Sequence, residues 1–418
     1  MRTSLDPATL DTVESHLAAT DRHLATGYPG DDGSRQPVHT VYVPADRYHA
    51  GLARAWGDRA REILAANGGT QALLAAVGVR EDLRESVGAL VEDKLAREPV
   101  EDLRVDLEDG YGTRDDEEED RAVLAAAAGL REELTAGTAP PFLGIRVKCL
   151  ERATRSRGLR TLDLFVSALA TSGELPDGLV LTLPKVTTVE QVEAMVLVCE
   201  RLEEALGLPA GRLRFEVQVE TPQVILGADG TATVARILHG SRGRVSGLHY
   251  GTYDYSASLG IAAAHQTLEH PAADHAKAVM QLAAAGTGVR LSDGSTNVLP
   301  VGEVDQVHAA WANHGRLVLR SLARGYYQGW DMHPGHLPSR FAATYAFYRE
   351  GFAPAAQRLR AYLHGQEGGV MDEPATAKAL AWFLQRGLDC GALTTAELAE
   401  HAGCGPADLA GLLGRSPA

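Results

Sequence analysis

The stretch RVDLEDGYG, residues 104–112, reads as a strand that stops on two carboxylates. Arg104, Val105, Asp106 and Leu107 alternate polar and apolar, as a half-buried strand would. Glu108 and Asp109 then stand side by side, and Gly110 and Gly112 supply the turn. Adjacent carboxylates repel each other unless water, a cation or a proton relieves them. Short strands that stop on ionisable residues recur along the chain.

The β-rich runs bounded by turn residues are HTVYV (39–43), LRVDL (103–107), FLGIRV (142–147), GLVLTL (178–183), RFEVQV (214–219), VSGLHY (245–250), TGVRLS (287–292) and GWDMH (329–333). Amphipathic stretches such as VEQVEAMVLVCERLEEALG lie between them. Eight strands alternating with helices predict the α/β class and a (β/α)8 TIM barrel. The expected organisation is an N-terminal extension over 1–37, the barrel over 38–350 and an all-helical region over 351–418. The acidic run DDEEED (115–120) reads as the solvated first turn of a helix rather than a metal site. LTTAELAEHAGCGPADLAGLLGR (393–415) has a helix–turn–helix outline but reads as a helical cap. From Arg386 onward two arginines face Asp389, Glu397, Glu400 and Asp408, the wrong balance for binding phosphates.

The 418 residues are 45% hydrophobic and 23% charged, an ordinary globular composition. A net charge of −15 argues against nucleic acid or an anionic membrane as partner. Cys149, Cys199, Cys390 and Cys404 show no metal-ligand spacing, which suits a reduced, cytoplasmic location. No apolar run approaches the ~20 residues of a membrane span, and MRTSLDPATLDTVESH is too polar for a signal peptide. Walker A, GxGxxG and GxSxG motifs are absent from the sequence.

In such barrels the chemistry sits where the strands end. Those positions hold Asp46 and Arg47, Glu108 and Asp109, Arg146 and Lys148, Lys185, Glu220, Asp254, Asp293 and His333. Glu220 closes one strand before Pro222 stops it, and Asp254 follows the next. Neighbouring strands run ~4.8 Å apart, so this pair can share one Mg²⁺ whose other positions go to water and substrate oxygens. Alternatively, Glu220 pairs with Arg146 and Asp254 caps a helix. Arg146 and Lys148 share a strand face and are both expected in the mouth. There Arg146 either grips a carboxylate or enolate, or forms a structural ion pair with Glu108 or Asp109. Lys185 in LTLPKV contacts substrate or forms a Schiff base as in class I aldolases; a nearby metal argues against the second. His333 and His336 in MHPGH read as structural.

VDLEDGYG, IRVKCLE, LTLPKV, VQVETPQVIL, HYGTYDYSASLG and GYYQGWDMHPGHL occur in the order seen in the citrate lyase β-subunit-like branch of the HpcH/HpaI aldolase family. The chain resembles that family over about residues 38–350. The resemblance implies a metal-dependent carbon–carbon lyase, a class II-type aldolase or citrate-lyase-like enzyme. It further implies a homo-oligomer, a trimer or hexamer, acting on a small-molecule 2-oxo acid or hydroxy acid. Carried over by position, Glu220 and Asp254 match the Mg²⁺ ligands, with Mn²⁺ as the alternative ion. Arg146 matches the arginine that grips substrate oxygens, while Glu108 and Asp109 match an acidic pair that holds metal-bound water and supplies the base. Lys185 and Pro222 fall on the substrate-binding side of the same motifs. VHTVYVPADRY lacks the family's first-strand Arg and Gly, so acyl-CoA binding is not carried over. Two other readings stand beside this one. A phosphoenolpyruvate-type mutase or transferase on the same barrel should offer phosphate ligands, and RLSDGSTNVLP supplies only Arg290 and Gly294. A non-catalytic oxo-acid sensor would use its helical tail to bind a partner.

Overall fold

The computed structural model describes residues 4–171, 173–364 and 373–414. Among these residues eight strands form one parallel sheet: β1 (His39–Pro44), β2 (Asp102–Asp106), β3 (Phe142–Arg146), β4 (Leu179–Leu183), β5 (Phe215–Val219), β6 (Val245–Tyr250), β7 (Arg290–Ser292) and β8 (Gly329–Trp330). Neighbours run in chain order from β1 to β7, and β8 pairs with β1. A parallel bridge from Ser292 to Gln328 brings the two sheet edges together, and the Asp293 N–H donates to Gln328 O at 2.8 Å. The expected (β/α)8 barrel is the observed one.

The last two strands are shorter than their sequences suggest. Gly286 and Gly288, at φ of 78° and 76°, hold the chain out of extended geometry until Val289. After Trp330 only Asp331 still pairs with β1, through its N–H to Thr40 O at 3.0 Å, before Pro334 leads into the next helix.

β2 corrects the half-buried reading, because all five of its residues are buried. A closed barrel wrapped in helices buries both faces of each strand. The apolar alternates, among them Val41, Leu103, Val105, Ile145, Leu181 and Val217, join the hydrophobic core shared with the helices. The polar alternates meet one another inside the barrel. Arg104 pairs with Asp102 and Glu216, Glu216 lies 2.9 Å from His249 Nε2, and Arg146 pairs with Asp106. Buried polar groups mostly find partners, and these ion pairs, within β2 and across to β3, β5 and β6, supply most of them here.

The acidic run opens the helix Asp116–Ala136, whose cap Asp115 accepts the Glu118 N–H at 2.7 Å. It is not wholly solvated. Glu119 is buried, 2.7 Å from Lys148 Nζ and 3.2 Å from Arg157 Nε.

The helix His336–Leu363 carries the chain out of the barrel without a break, and position 350 falls inside it. Its second half packs Phe352 and Leu359 against Leu384, Leu398 and Leu409 of the helices Pro374–Asp389, Thr395–Ala402 and Pro406–Leu412. The helix–turn–helix pair thus turns its apolar faces inward, as a cap does. At the other end, the helix Pro7–Gly27 buries no residue. Residues 28–37 then run along the end of the barrel where the strands begin. Gly30 N–H donates to Gly286 O at 2.8 Å, and Gln36 Nε2 to Leu291 O at 3.1 Å. No helix among the described residues is long and apolar enough to cross a membrane.

Candidate active site

The turn after β2 is built on Asp106, a residue the strand-end reading passed over. Its carboxylate accepts the backbone N–H groups of Glu108 at 3.0 Å and Gly110 at 2.9 Å. It also takes Arg146 Nε and Nη2, both at 2.7 Å. A Cβ on residue 110 would lie 2.5 Å from Asp106 Oδ2, so glycine is required there. The missed signal was register: Asp106 and Arg146 are opposite charges paired across β2 and β3.

Arg146 is therefore neither wholly free nor merely a partner of the acidic pair. Asp106 holds two of its nitrogens, and the rings of Tyr42 and Trp330 lie 4.8 and 5.5 Å from its guanidinium carbon. Nη1 remains on the other edge, 3.4 Å from Gln218 Oε1 and 3.5 Å from Glu108 Oε2. Such clamping fixes the direction of one N–H edge.

Lys185 answers the strain of the adjacent carboxylates. Its Nζ bonds both oxygens of Asp109 at 2.7 Å and also Glu108 Oε1. The lysine has φ of 50°, an uncommon conformation for a residue with a side chain. That twist aims its backbone N–H at Glu220 Oε1, 2.7 Å away. One residue thus ties three of the predicted acidic groups together.

Burial and mutual repulsion raise three of these four carboxyls. Burial pushes Glu220 up to about 8, with Glu108 and Asp254 adding repulsion that Arg146 only partly offsets. Burial likewise raises Asp254, with Asp109 adding to it against Lys185 and Arg146. Glu108 is raised by burial despite Arg146 and Lys185. Burial acts against Asp109 too, but the hydrogen bond from Lys185 outweighs it and lowers that carboxyl. A Cβ on Gly251 would stand 2.5 Å from Glu220 Cβ, so the glycine makes room for that side chain. Asp254 sits in the first turn of the helix Thr252–Ser258 without capping it.

Other strand-end groups are not brought here. Lys148 leaves the mouth to donate to Leu107 O at 2.8 Å and to Glu119, tying β2 to the following helix. Asp293 turns to Lys277 at 3.0 Å and Ser321 at 2.6 Å. Pro222 opens a four-residue helix that ends β5, and it has no polar group to offer beyond its carbonyl. His336 joins His314 and Asp331 in a buried group whose candidate ligand atoms lie within 4.8 Å of one another. That group includes side chains of two outer helices, and Arg340 already occupies both Asp331 oxygens at 3.1 and 2.8 Å.

The Lys185 ammonium has a direct consequence. Burial opposes its charge, but the hydrogen bonds it donates to Asp109 and Glu108 hold its pKa above the ordinary lysine value. A protonated amine does not attack a carbonyl. Borohydride treatment with pyruvate or glyoxylate should leave the protein mass unchanged; a reduced adduct on Lys185 would overturn this.

The donor set fits a hard divalent ion: carboxylate oxygens only, three of them with raised affinity for protons, and space kept by a glycine. Fold and site together define a (β/α)8 barrel with an acidic mouth. The chain belongs to the family described as a domain of unknown function, DUF6986, whose model matches residues 17–415. No curated protein matches it. Among solved structures, a citrate lyase from Burkholderia xenovorans LB400 is similar at a TM-score of 0.60 and 17% identity, covering 89% of this chain and 97% of that one. CitE from Mycobacterium tuberculosis, in complex with magnesium, acetoacetate and coenzyme A, gives a TM-score of 0.48 at 16% identity, covering 86% and 99%. Haloferax volcanii malate synthase, in a magnesium/glyoxylate complex, gives 0.48 at 14%, covering 90% and 97%. At 17% identity the likeness to the Burkholderia protein is one of fold.

Proposed function

We propose that the chain is a Mg²⁺-dependent carbon–carbon lyase of the HpcH/HpaI, citrate lyase β-like kind, acting on a small 2-oxo acid or hydroxy acid. The observation that carries this reading is the meeting of Glu108, Asp109, Glu220 and Asp254 beside the fixed edge of Arg146. Glu220 and Asp254 are the residues that would hold the ion, Mg²⁺ or Mn²⁺, with Glu108 and Asp109 bordering it. When bound, such an ion supplies a Lewis acid for the carbonyl and carboxylate oxygens of the substrate.

The protein's own groups do the rest. Arg146 Nη1 presents fixed positive charge to the oxyanion that develops on cleavage. Glu108, whose carboxyl is raised above the ordinary range, takes the hydroxyl proton. Lys185 keeps Asp109 ionised and holds the Glu220 carboxylate in place through its backbone N–H. Pro222 is assigned to the substrate side of the mouth, and a homo-oligomer belongs to the same reading.

Calorimetric titration with Mg²⁺ tests it, together with turnover of pyruvate, glyoxylate and oxaloacetate in the presence of Mg²⁺. Glu220→Gln and Asp254→Asn each remove one charge from the ion's ligands and should abolish measurable Mg²⁺ binding in a folded protein. Unchanged Mg²⁺ affinity in both variants would place the ion elsewhere and remove the basis of the mechanism.

A further inference from the structure

At the end of the barrel opposite the acidic mouth, Asp32, Ser34, Arg35 and Pro37 border an open cavity of about 330 Å³ against the starts of the strands. We propose that this cavity is a second binding site, which holds a small multivalent oxyanion between Arg214 and Arg290.

The charges around the cavity are unequally matched. Asp102 and Glu216 are taken by Arg104, and Glu216 also by His249. Arg35 is taken by Glu98 at 2.7 Å and Glu101 at 2.8 Å. Asp32 accepts the Ser34 N–H at 2.8 Å, and Asp177 lies exposed at the rim. Arg214 and Arg290 are left over. Among the described residues neither has a carboxylate at ion-pair distance, and Arg290 bonds only Ser34, through Nη2 to O at 2.8 Å and to Oγ at 2.6 Å. Burial lowers the pKa of Arg290, and Arg214 adds repulsion that Asp32 and Asp31 do not fully offset. Two arginines that line one cavity repel each other, and an anion between them relieves that repulsion.

A third donor lies deeper. Arg104 lines the same cavity and is fully buried, and its Nε has no hydrogen-bond partner although both terminal nitrogens are used. Buried donors without a partner are rare and point to a missing acceptor. Asp32 lies in the same corner, where its two hydrogen bonds from Ser34, helped by the charges of Arg290 and Arg214, hold its carboxyl down against the effect of burial. Guanidinium groups favour oxyanions, above all those that accept two N–H bonds at once. Phosphoryl and carboxylate compounds share that chemistry. The site is separate from the acidic mouth, and the inference does not rest on the proposed lyase activity.

Titration of the full chain with inorganic phosphate and, separately, malonate tests the site, read by calorimetry and by Tm against NaCl of equal ionic strength. A saturable rise in Tm is expected, because a ligand of the folded state stabilises it. The tighter of the two anions identifies the source as phosphoryl or carboxylate. Arg146→Lys should keep the binding, as expected of a site at the other end of the barrel. Arg214→Gln alters an exposed side chain and should weaken it at least tenfold, and Arg290→Gln likewise. No saturable shift with either anion, or binding that survives both substitutions together, would overturn the proposal.

Discussion

Lysine in place of Arg146 should lower kcat by about 10²–10³ while Mg²⁺ binding stays unchanged, the usual cost of losing one positioned oxyanion donor. The structure explains why charge alone is insufficient. The guanidinium spends Nε and Nη2 on Asp106 and keeps Nη1 beside Glu108, so a single planar group both anchors itself and presents an edge. An ammonium can satisfy Asp106 or face the substrate, but it cannot do both in fixed directions. Lysine also loses part of the stacking between Tyr42 and Trp330, and a moderate fall in Tm is expected as well. A remote control separates that loss from catalysis. Arg244 makes a comparable fork to Glu203, at 2.7 Å on each side, and Arg244→Lys should lose stability with turnover intact. If Arg146→Lys also turns over at the wild-type rate, the arginine is scaffold and the mechanism has lost its oxyanion donor.

The sequence announced the strands well where the helices outside require an apolar face. Leu103, Val105 and their counterparts on β3 to β6 form a repeat of two that no other element explains. It misled where closure of the sheet changes what the other face meets. An alternation that suits one wet face also suits a sealed barrel, provided each inward charge finds a partner at its own level on the next strand. Asp106 was overlooked for that reason. Lys148 was misplaced because the rule that i and i+2 share a face holds only while the strand lasts, and β3 ends at Arg146. Glu119 and Glu133 lie on the stripe of Val123, Ala126 and Leu130, so helical periodicity already marked them as buried. The twist at Lys185 had no comparable signal. Positive φ at a lysine follows from its surroundings, here the pull of Glu220 on its N–H and of the acidic pair on its ammonium.

Asp331→Asn should destabilise the fold by about 3–5 kcal/mol, the range for removing one partner of a buried ion pair. Asp331 is wholly buried and gathers three cationic or polar side chains from three elements. Arg340 reaches it from the helix His336–Leu363, His314 Nε2 from the helix Val304–Ala323 at 3.1 Å, and His39 Nδ1 from β1 at 3.0 Å. These contacts hold its carboxyl well below the ordinary range, although burial alone would raise it. Its backbone N–H is the last rung between β8 and β1, so the same residue helps close the barrel and fastens the outer helices to the seam. Asparagine keeps the shape and removes the charge, which leaves the Arg340 guanidinium buried without its counter-ion. The neighbouring histidines allow a rival account, in which a metal ion held by His314, Asp331 and His336 is what matters. The two accounts part under chelation. With Arg340 on the carboxylate, EDTA should leave Tm unchanged while Asp331→Asn lowers it; under metal binding, both treatments lower it together. An Asp331→Asn protein that melts with the wild type would refute the ion-pair account outright. The seam would then depend on apolar packing, to which the buried Phe341 and Trp311 belong.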